Sequence, residues 1–346
     1  MLYQIETKMK LRLFITFLTI FYFFSSCQEA KKEVVYVYSG RHYDVDEVLY
    51  RHFEEQFGIQ VIVQKGKADE LIQRLENEKE LAQADLLILA EAGKMGLAKE
   101  KNLLEDIENE FKNSKIPAKF RGQDWIALTK RARIFAVLKD QPETHIYQNY
   151  ADLASPSLIN GILSRSSDNG YNRNWIAALI ANNSEETITN WAKQVVTNFA
   201  RQPKGNDRDQ MKALANGEGK LAITNSYYVA KLLHSSNPEE VKVGEQMHLI
   251  FPDQEGLGTH INISSAGLLK HAKNKKNALL LLNFLTDVFA QEQYTHQNFE
   301  FPVHPEASLP ETLKNWGSFK ENWLSVEEIH QYTPAALRVF EAANWL

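Results

Sequence analysis

After the N-terminal segment, the first part of the chain shows two patterns of apolar residues in turn. Runs of β-branched and aromatic residues predict strands, and apolar residues three and four positions apart predict helices. The predicted strands are 34–40 (VVYVYSG), 59–66 (IQVIVQKG) and 84–90 (ADLLILA), and the predicted helices are 45–58, 68–81 and 94–104. This alternation, with an apolar third strand, indicates an open α/β domain around a parallel sheet.

The rest of the chain predicts a second α/β unit. A long extended stretch, 125–140, is expected to carry the chain from one lobe to the other. The predicted helices are 169–183, 186–203, 207–219, 274–294 and a final segment 326–346, and the next strand is 220–228, in which a buried run gives way to a loop. We therefore expect two lobes, approximately 34–127 with 258–305 and 128–257 with 306–346. A ligand would lie between them, outside the carboxyl ends of the strands.

The N-terminus predicts export and anchoring. Three basic residues, Lys8, Lys10 and Arg12, accompany a short apolar stretch that ends in FFSSC. This pattern is typical of a secretion signal, and the stretch is too short to span a bilayer comfortably. We predict a signal peptide over 1–26, lipidation at Cys27 and a polar tether over 27–33. The alternative is a chance cysteine after an ordinary signal.

Composition excludes several classes of protein. Cys27 is the only cysteine, so an internal disulfide is impossible and acylation would account for the thiol. Basic and acidic residues are mixed, with a net charge of -5, and there is no basic tract. Nucleic acid is therefore not an expected partner. Common nucleophile, phosphate-loop and metalloprotease motifs are missing from the sequence, so we expect a protein that is not an enzyme, and we expect a monomer.

Tyrosines follow the ends of three predicted strands. His42 and Tyr43 come after the first strand, Tyr171 stands at the start of a helix in the second lobe, and Tyr227 and Tyr228 close the strand 220–228. Each position is one where an α/β cleft collects ligand contacts. Four phenols and one imidazole are therefore expected to face one point.

Such a group of phenols suits Fe³⁺. Tyrosine is neutral at pH 7, and a strong Lewis acid is needed to ionise several together. Fe³⁺ is hard and favours anionic oxygen, whereas zinc and copper favour histidine or cysteine. Four phenolates would leave one excess negative charge, which Arg41, Arg133 or Lys231 would offset. The alternative is that paired tyrosines pack, or stack on a sugar, and that His42 is structural.

Several segments together resemble the ferric-iron-binding periplasmic proteins, the substrate-capture components of bacterial iron ABC importers. The resemblance rests on five stretches, YSGRHYDVDEVLYRHFEEQFGIQV, ADLLILAEAGKMGLAKEKNLL, LSRSSDNGYNRNWIAALIA, WAKQVVTNFARQPKGNDRDQMKALANGEGKLAITNSYY and GTHINISSAGLLKHAKNKKNALLLLNFL. It covers about Val34 to Leu346 and is nearest to the branch that binds iron through tyrosines without a co-ligand anion.

This resemblance implies a two-lobed periplasmic-binding-protein fold, type II-like, with hinge strands between the lobes. It implies ligands at Tyr43, Tyr171, Tyr227 and Tyr228, with His42 a ligand in only some members, and Fe³⁺ as the transported ion. It also implies delivery to an ABC permease of the cytoplasmic membrane from a periplasmic or cell-surface anchored lipoprotein.

One position departs from the family pattern, and a second matches it. Gly170 replaces a bulkier residue, which predicts a more mobile loop before Tyr171. Asp207 matches a segment near the cleft, and we predict that it caps the helix that follows.

Two other functions remain open from the sequence. A protein of the same fold could bind an anion, a polyamine or a sugar with the tyrosines as cleft walls, and a ferrous protein would depend more on His42. An exported enzyme would need a nucleophile or an acid and base pair in the cleft, and the sequence offers none that we recognise.

Overall fold

The computed structural model describes residues 32–144 and 146–346. The predicted signal peptide, the lipidation site at Cys27 and most of the tether lie outside them. In these ranges the strands are β1 (Val34–Ser39), β2 (Gln60–Lys65), β3 (Leu86–Leu89), β4 (Ile126–Leu138), β5 (Ile162–Leu163), β6 (Leu221–Asn225), β7 (Met247–Ile250), β8 (Thr259–Leu268), β9 (Phe301–Pro302) and β10 (Glu321–Asn322).

The same residues form helices between the strands. These are α1 (Asp44–Phe57), α2 (Ala68–Glu78), α3 (Ala92–Glu100), α4 (Glu108–Phe111), α5 (Gly170–Ala181), α6 (Glu185–Thr197), α7 (Asp207–Ala215), α8 (Ser226–Leu233), α9 (Pro238–Gln246), α10 (Lys275–Leu285), α11 (Val288–Asn298), α12 (Glu311–Lys314) and α13 (Val326–Ala343). Among the described residues, no helix combines the length and the apolar character needed to cross a membrane.

Two groups of strands lie at the two ends of one continuous sheet path. Strands β1, β2 and β3, the first strand group, pair in parallel in the order β2-β1-β3. Strands β5, β6 and β7, the second strand group, lie beyond β4, where β5 and β6 pair in parallel. The parallel pairing predicted from the apolar runs is thus present within each group, while β3 pairs antiparallel to β8.

Strand β4 joins the two groups. Its residues up to Ala132 pair with β8, and from Arg133 onward they pair with β6. The extended stretch predicted at 125–140 is therefore a strand that runs from one end of the sheet to the other. Strands β4 and β8 are buried along almost their whole length, so the linking region is also part of the core.

Helix α13 packs against α3, which follows the first strand group, and against α5 and α6 in the second half. The contact with α3 is very close at Gly96, where an added Cβ would lie 2.4 Å from the carbonyl oxygen of Val326. The predicted final helix is thus confirmed, and it touches helices from both halves of the chain.

Two local predictions are wrong, and one strand was missed. Residues 274–294 form two helices instead of one, because the side chain of Asp287 accepts a hydrogen bond from the backbone N–H of Ala290 and caps α11. Tyr227 and Tyr228 lie in the first turn of helix α8, not in a loop. The ten residues of β8 were not predicted as a strand, since their pairing partners are distant in sequence.

Candidate functional site

Three tyrosine hydroxyls meet between the two strand groups. The Oη atom of Tyr43 lies 3.2 Å from Oη of Tyr171 and 3.3 Å from Oη of Tyr227. Tyr43 follows β1 of the first strand group, whereas the other two follow β5 and β6 of the second. The phenols predicted to converge from opposite sides are therefore in direct contact.

All three phenols stand at the N-terminal ends of helices. Tyr43 is the residue before α1, and Tyr171 and Tyr227 are the second residues of α5 and α8. A helix N-terminus carries a partial positive charge from its free backbone N–H groups. The strand-to-helix turns thus place all three tyrosines at the beginnings of helices.

Tyr228 joins this group through Tyr227. Their ring centroids are 4.1 Å apart at an interplanar angle of 32°. Tyr228 is half-buried, whereas Tyr227 is completely buried. Consecutive residues of α8 therefore both present their rings to the same site, which a strand with alternating side chains would not allow.

Burial keeps these phenols protonated. It raises the pKa of Tyr43 and Tyr227 well above the usual value, and the neighbouring phenol of Tyr171 raises both further. Burial also raises the pKa of Tyr228, with the carboxylate of Asp207 adding to the effect. A cation bound among the oxygens would have to displace their protons, so the site favours an ion of high charge.

Cations lie over the rings. The guanidinium of Arg41 is 4.7 Å from the centroid of Tyr43, and that of Arg131 is 5.1 Å from the centroid of Tyr171. Lys231 Nζ is 4.9 Å from the centroid of Tyr43. Two of the three predicted cations, Arg41 and Lys231, are thus adjacent to the phenols, whereas Arg131 was missed.

Arg131 and Arg41 are held by one buried carboxylate. Glu300 forms ion pairs with both arginines and accepts a hydrogen bond of 2.8 Å from the Thr129 hydroxyl. Burial would raise the pKa of Glu300, but the two guanidinium groups lower it to about 2. This carboxylate was also missed, since a single acid before the two-residue strand β9 gives no signal in the sequence.

Arg133, the third predicted cation, lies in a different network. Its Nη1 is 2.9 Å from Oδ1 of Asp207, and it donates a hydrogen bond to the Asn172 side chain. Arg165 pairs with the other oxygen of Asp207 at 2.7 Å. Arg133 therefore supports the backbone near Tyr171 and is itself neutralised by Asp207.

Asp207 does not cap helix α7, so that prediction is wrong. Asn206 is the N-cap, and its side chain accepts hydrogen bonds from the backbone N–H groups of Arg208 and Asp209. Asp207 is the first helical residue and is completely buried between two arginines. Its carboxylate serves this ion-pair network instead of the helix end.

His42 lies beside the cluster without joining it. Its side chain is exposed, whereas that of Tyr43 is half-buried. Within residues 32–144 and 146–346, no hydrogen bond or ring contact links His42 to the phenols, and no group of three or more His, Cys, Asp or Glu side chains is placed to hold a metal ion.

Comparison with known proteins gives one consistent family. Residues 34–300 match the model of the bacterial extracellular solute-binding protein family. Iron uptake protein A1 of Synechocystis sp. is 32% identical over 317 residues, which are 91% of this chain and 88% of the relative.

Solved structures agree with the described fold. A Trichodesmium protein (IdiA, FutA) in complex with iron and citrate is 37% identical, with a TM-score of 0.85, over 90% of this chain and 100% of the other. The ferric binding protein of Campylobacter jejuni is 36% identical, with a TM-score of 0.85 and the same coverage. The expected two-lobed α/β fold is confirmed.

Proposed function

Because the chain belongs to the bacterial extracellular solute-binding protein family, we propose that it captures ferric iron between its lobes and delivers the ion to an ABC permease. The phenol oxygens of Tyr43, Tyr171, Tyr227 and Tyr228 are the ligands. The observation that carries this proposal is the contact of Tyr43 with Tyr171 and Tyr227, at 3.2 and 3.3 Å, between side chains from opposite strand groups.

Charge around the site supports a trivalent ion. Four phenolates on Fe³⁺ leave one negative charge. Arg41, Arg131 and Lys231, set against the carboxylates of Asp46 and Glu300, leave one positive charge. This positive charge offsets the excess negative charge of the four phenolates, which limits the cost of burying the ion.

The chain acts by binding and release, not by catalysis. Iron binds the closed form better because the ligands come from both strand groups, so the ion shifts the population toward closure. The names of similar proteins, iron uptake protein and ferric binding protein, support iron as the cargo.

Membrane attachment belongs to this proposal as well. Acylation of Cys27 would hold the monomeric protein near the permease at the outer face of the cytoplasmic membrane or at the cell surface. More than one acyl chain gives stable anchoring, whereas a single chain holds weakly.

Visible spectroscopy tests the ligand set. The chain from Gln28 onward contains every described residue, and the two solved relatives are spanned completely by 90% of this chain. The protein would be stripped with a chelator and titrated with ferric citrate. Phenolate bound to Fe³⁺ should give a red-orange charge-transfer band.

Two variants make the test specific. The double variant Tyr227→Phe, Tyr228→Phe should lose the band, and Tyr332→Phe, which removes a phenol on α13, should keep it. A folded protein without a band would contradict ferric capture and would direct the test to ferrous iron without oxygen, and then to organic ligands.

A further inference from the structure

Gly170 lies against a carboxylate from the other strand group. It is the first residue of α5 and directly precedes Tyr171. A Cβ atom added to Gly170 would lie 1.8 Å from Oε2 and 2.0 Å from Cδ of Glu91. Atoms that are not bonded cannot approach so closely, so any side chain at position 170 would displace the Glu91 carboxylate.

The backbone of Glu91 lies just after β3, and its side chain extends to Gly170. It is the residue before α3, its backbone is extended, and its side chain makes no capping hydrogen bond to its own helix. The carboxylate instead faces the first turn of α5, a helix of twelve residues whose N-terminus favours negative charge. The side chain thus interacts with the opposite half of the molecule.

Burial raises the pKa of the Glu91 carboxylate, and nearby cations oppose this effect. Arg173 on α5, Lys94 on α3 and Arg131 on β4 each attract it electrostatically, and Asp69 on α2 repels it. Lys94 is itself paired with Asp69. The cations come from both sides of the junction, so together they offset part of the cost of burying the carboxylate.

A second contact joins the first two residues of α3 to the next turn of α5. The Asn174 side chain on α5 donates a hydrogen bond of 3.1 Å to Oδ1 of Asn262, which also accepts one of 3.2 Å from the backbone N–H of Ala92. A Cβ added at Gly93 would lie 2.9 Å from Oδ1 of Asn174. The start of α3 therefore approaches α5 at two points, and the contact of Glu91 with Gly170 is the one next to Tyr171.

We propose that Glu91 and Gly170 form an interlobe latch, in which the Glu91 carboxylate packs on the side-chain-free first turn of α5, stabilises the closed conformation and positions Tyr171 opposite Tyr43. Glu91 is a positioning residue that acts through the backbone of Gly170. Glycine is required there for the close approach of the carboxylate and not for an unusual backbone conformation, since Gly170 is not among the residues with positive φ.

Helix propensity alone predicts that replacing Gly170 by alanine does no harm. Alanine is a better helix former than glycine, so Gly170→Ala should leave α5 at least as stable as before. The latch predicts that the same change opens the molecule, because the new methyl group occupies the space of the Glu91 carboxylate. The two explanations therefore predict different results for Gly170→Ala: helix propensity predicts no opening of the molecule, and the latch predicts opening.

Four proteins decide between them: the unsubstituted chain from Gln28 onward, Gly170→Ala, Glu91→Ala and the double variant. Small-angle X-ray scattering measures their compactness with and without iron, and competition with a chelator measures iron release. Gly256→Ala is a matched control, because a Cβ there meets only ordinary contacts at 3.6 and 3.9 Å. Glu91→Gln tests whether the charge is needed in addition to the shape.

The latch predicts that Gly170→Ala and Glu91→Ala each increase the radius of gyration and release iron about tenfold faster. The double variant should match Glu91→Ala alone, because the methyl group has nothing to displace once the carboxylate is gone. The charge-transfer band should keep its position, since the four phenols remain.

Two results would overturn the latch. One is an unchanged radius and release rate in Gly170→Ala. The other is a double variant whose defects are the sum of those of the single variants. The iron readout depends on the proposed function, whereas scattering from the iron-free proteins does not. A missing band in the unsubstituted protein would therefore count against iron capture, while the scattering series would still decide the latch.

Discussion

Arg131 of β4 and Glu300 before β9 form an ion pair in which neither side chain has any exposed surface. Glu300 also pairs with Arg41, so one carboxylate bridges two buried guanidinium groups that lie over the rings of Tyr43 and Tyr171. Removing one member of such a network leaves charge buried without compensation, which costs far more than the pair contributes.

Glu300→Gln should therefore destabilise the iron-free protein by about 3–5 kcal/mol. The glutamine keeps the shape of the side chain but leaves Arg131 without a counter-charge and Arg41 with only that of Asp46. Denaturant unfolding followed by circular dichroism measures the change. Glu306→Gln is the control, because the pair of Glu306 with Lys115 is exposed and should contribute less than about 1 kcal/mol. Equal stabilities for both variants would contradict a structural role for Glu300.

Adjacent residues of one loop should differ sharply in iron binding. Tyr43 touches two other phenols, whereas His42 is exposed beside it. Tyr43→Phe should weaken iron binding by at least about 100-fold, and His42→Ala by less than about threefold. Chelator competition at fixed pH gives both affinities. A large loss in His42→Ala would mean that the imidazole moves into the site when iron binds.

Most of the helices and strands could be predicted from the sequence because local signals specify them. Strand β1 and helix α1 follow from β-branched residues, helical spacing and Gly58, which ends the helix with a φ of +68°. Strand β8 was not predicted because its pairing with β3 and β4 depends on residues far away in sequence. Hydrophobic spacing alone also cannot reveal that Asp287 divides one apolar stretch into two helices.

The phenols were predictable for a similar reason, whereas their surroundings were not. Tyr43, Tyr171 and Tyr227 each follow a strand, and ligand contacts in α/β folds gather at the ends of strands. Arg131 and Arg133 lie two residues apart on one strand, and only the change of partner strand between them gives them different networks. Their separate roles therefore required the tertiary structure.

Acid should destabilise the protein through His260. This residue of β8 is buried, and its Nε2 has no hydrogen-bond partner among the described residues. Burial, together with the charge of Arg133, lowers the pKa of His260 to about 3. Between about pH 6.5 and pH 3 the unfolded chain binds a proton that the folded chain does not, so stability falls as the pH falls through this window.

Unfolding free energies of the unsubstituted protein and of His260→Gln, measured from pH 7 to pH 4, test this prediction. The difference between the two proteins should change by about 1.4 kcal/mol per pH unit below pH 6, with the unsubstituted protein losing more stability. Two parallel curves would show that His260 does not titrate differently in the folded and unfolded states.

Lys231 should strengthen iron binding through its charge. Its Nζ lies 4.9 Å from the ring centroid of Tyr43 and 5.4 Å from that of Tyr227, so it faces phenols from both strand groups. Lys231→Met keeps the length of the side chain but removes the cation, and the phenolates formed on iron binding then lose a neighbouring positive charge. We expect about a tenfold loss of iron affinity with little change in the stability of the iron-free protein.

Lys193→Met provides the matched control, since Lys193 is an exposed residue of α6. Chelator competition at low and at high salt separates an effect on the bound site from long-range attraction of ferric citrate. Because Lys231 is partly buried, salt should screen its attraction only weakly, and the loss in Lys231→Met should persist at high salt. A loss that disappears with salt, or that also occurs in Lys193→Met, would assign the effect to long-range attraction of ferric citrate instead of to the bound site.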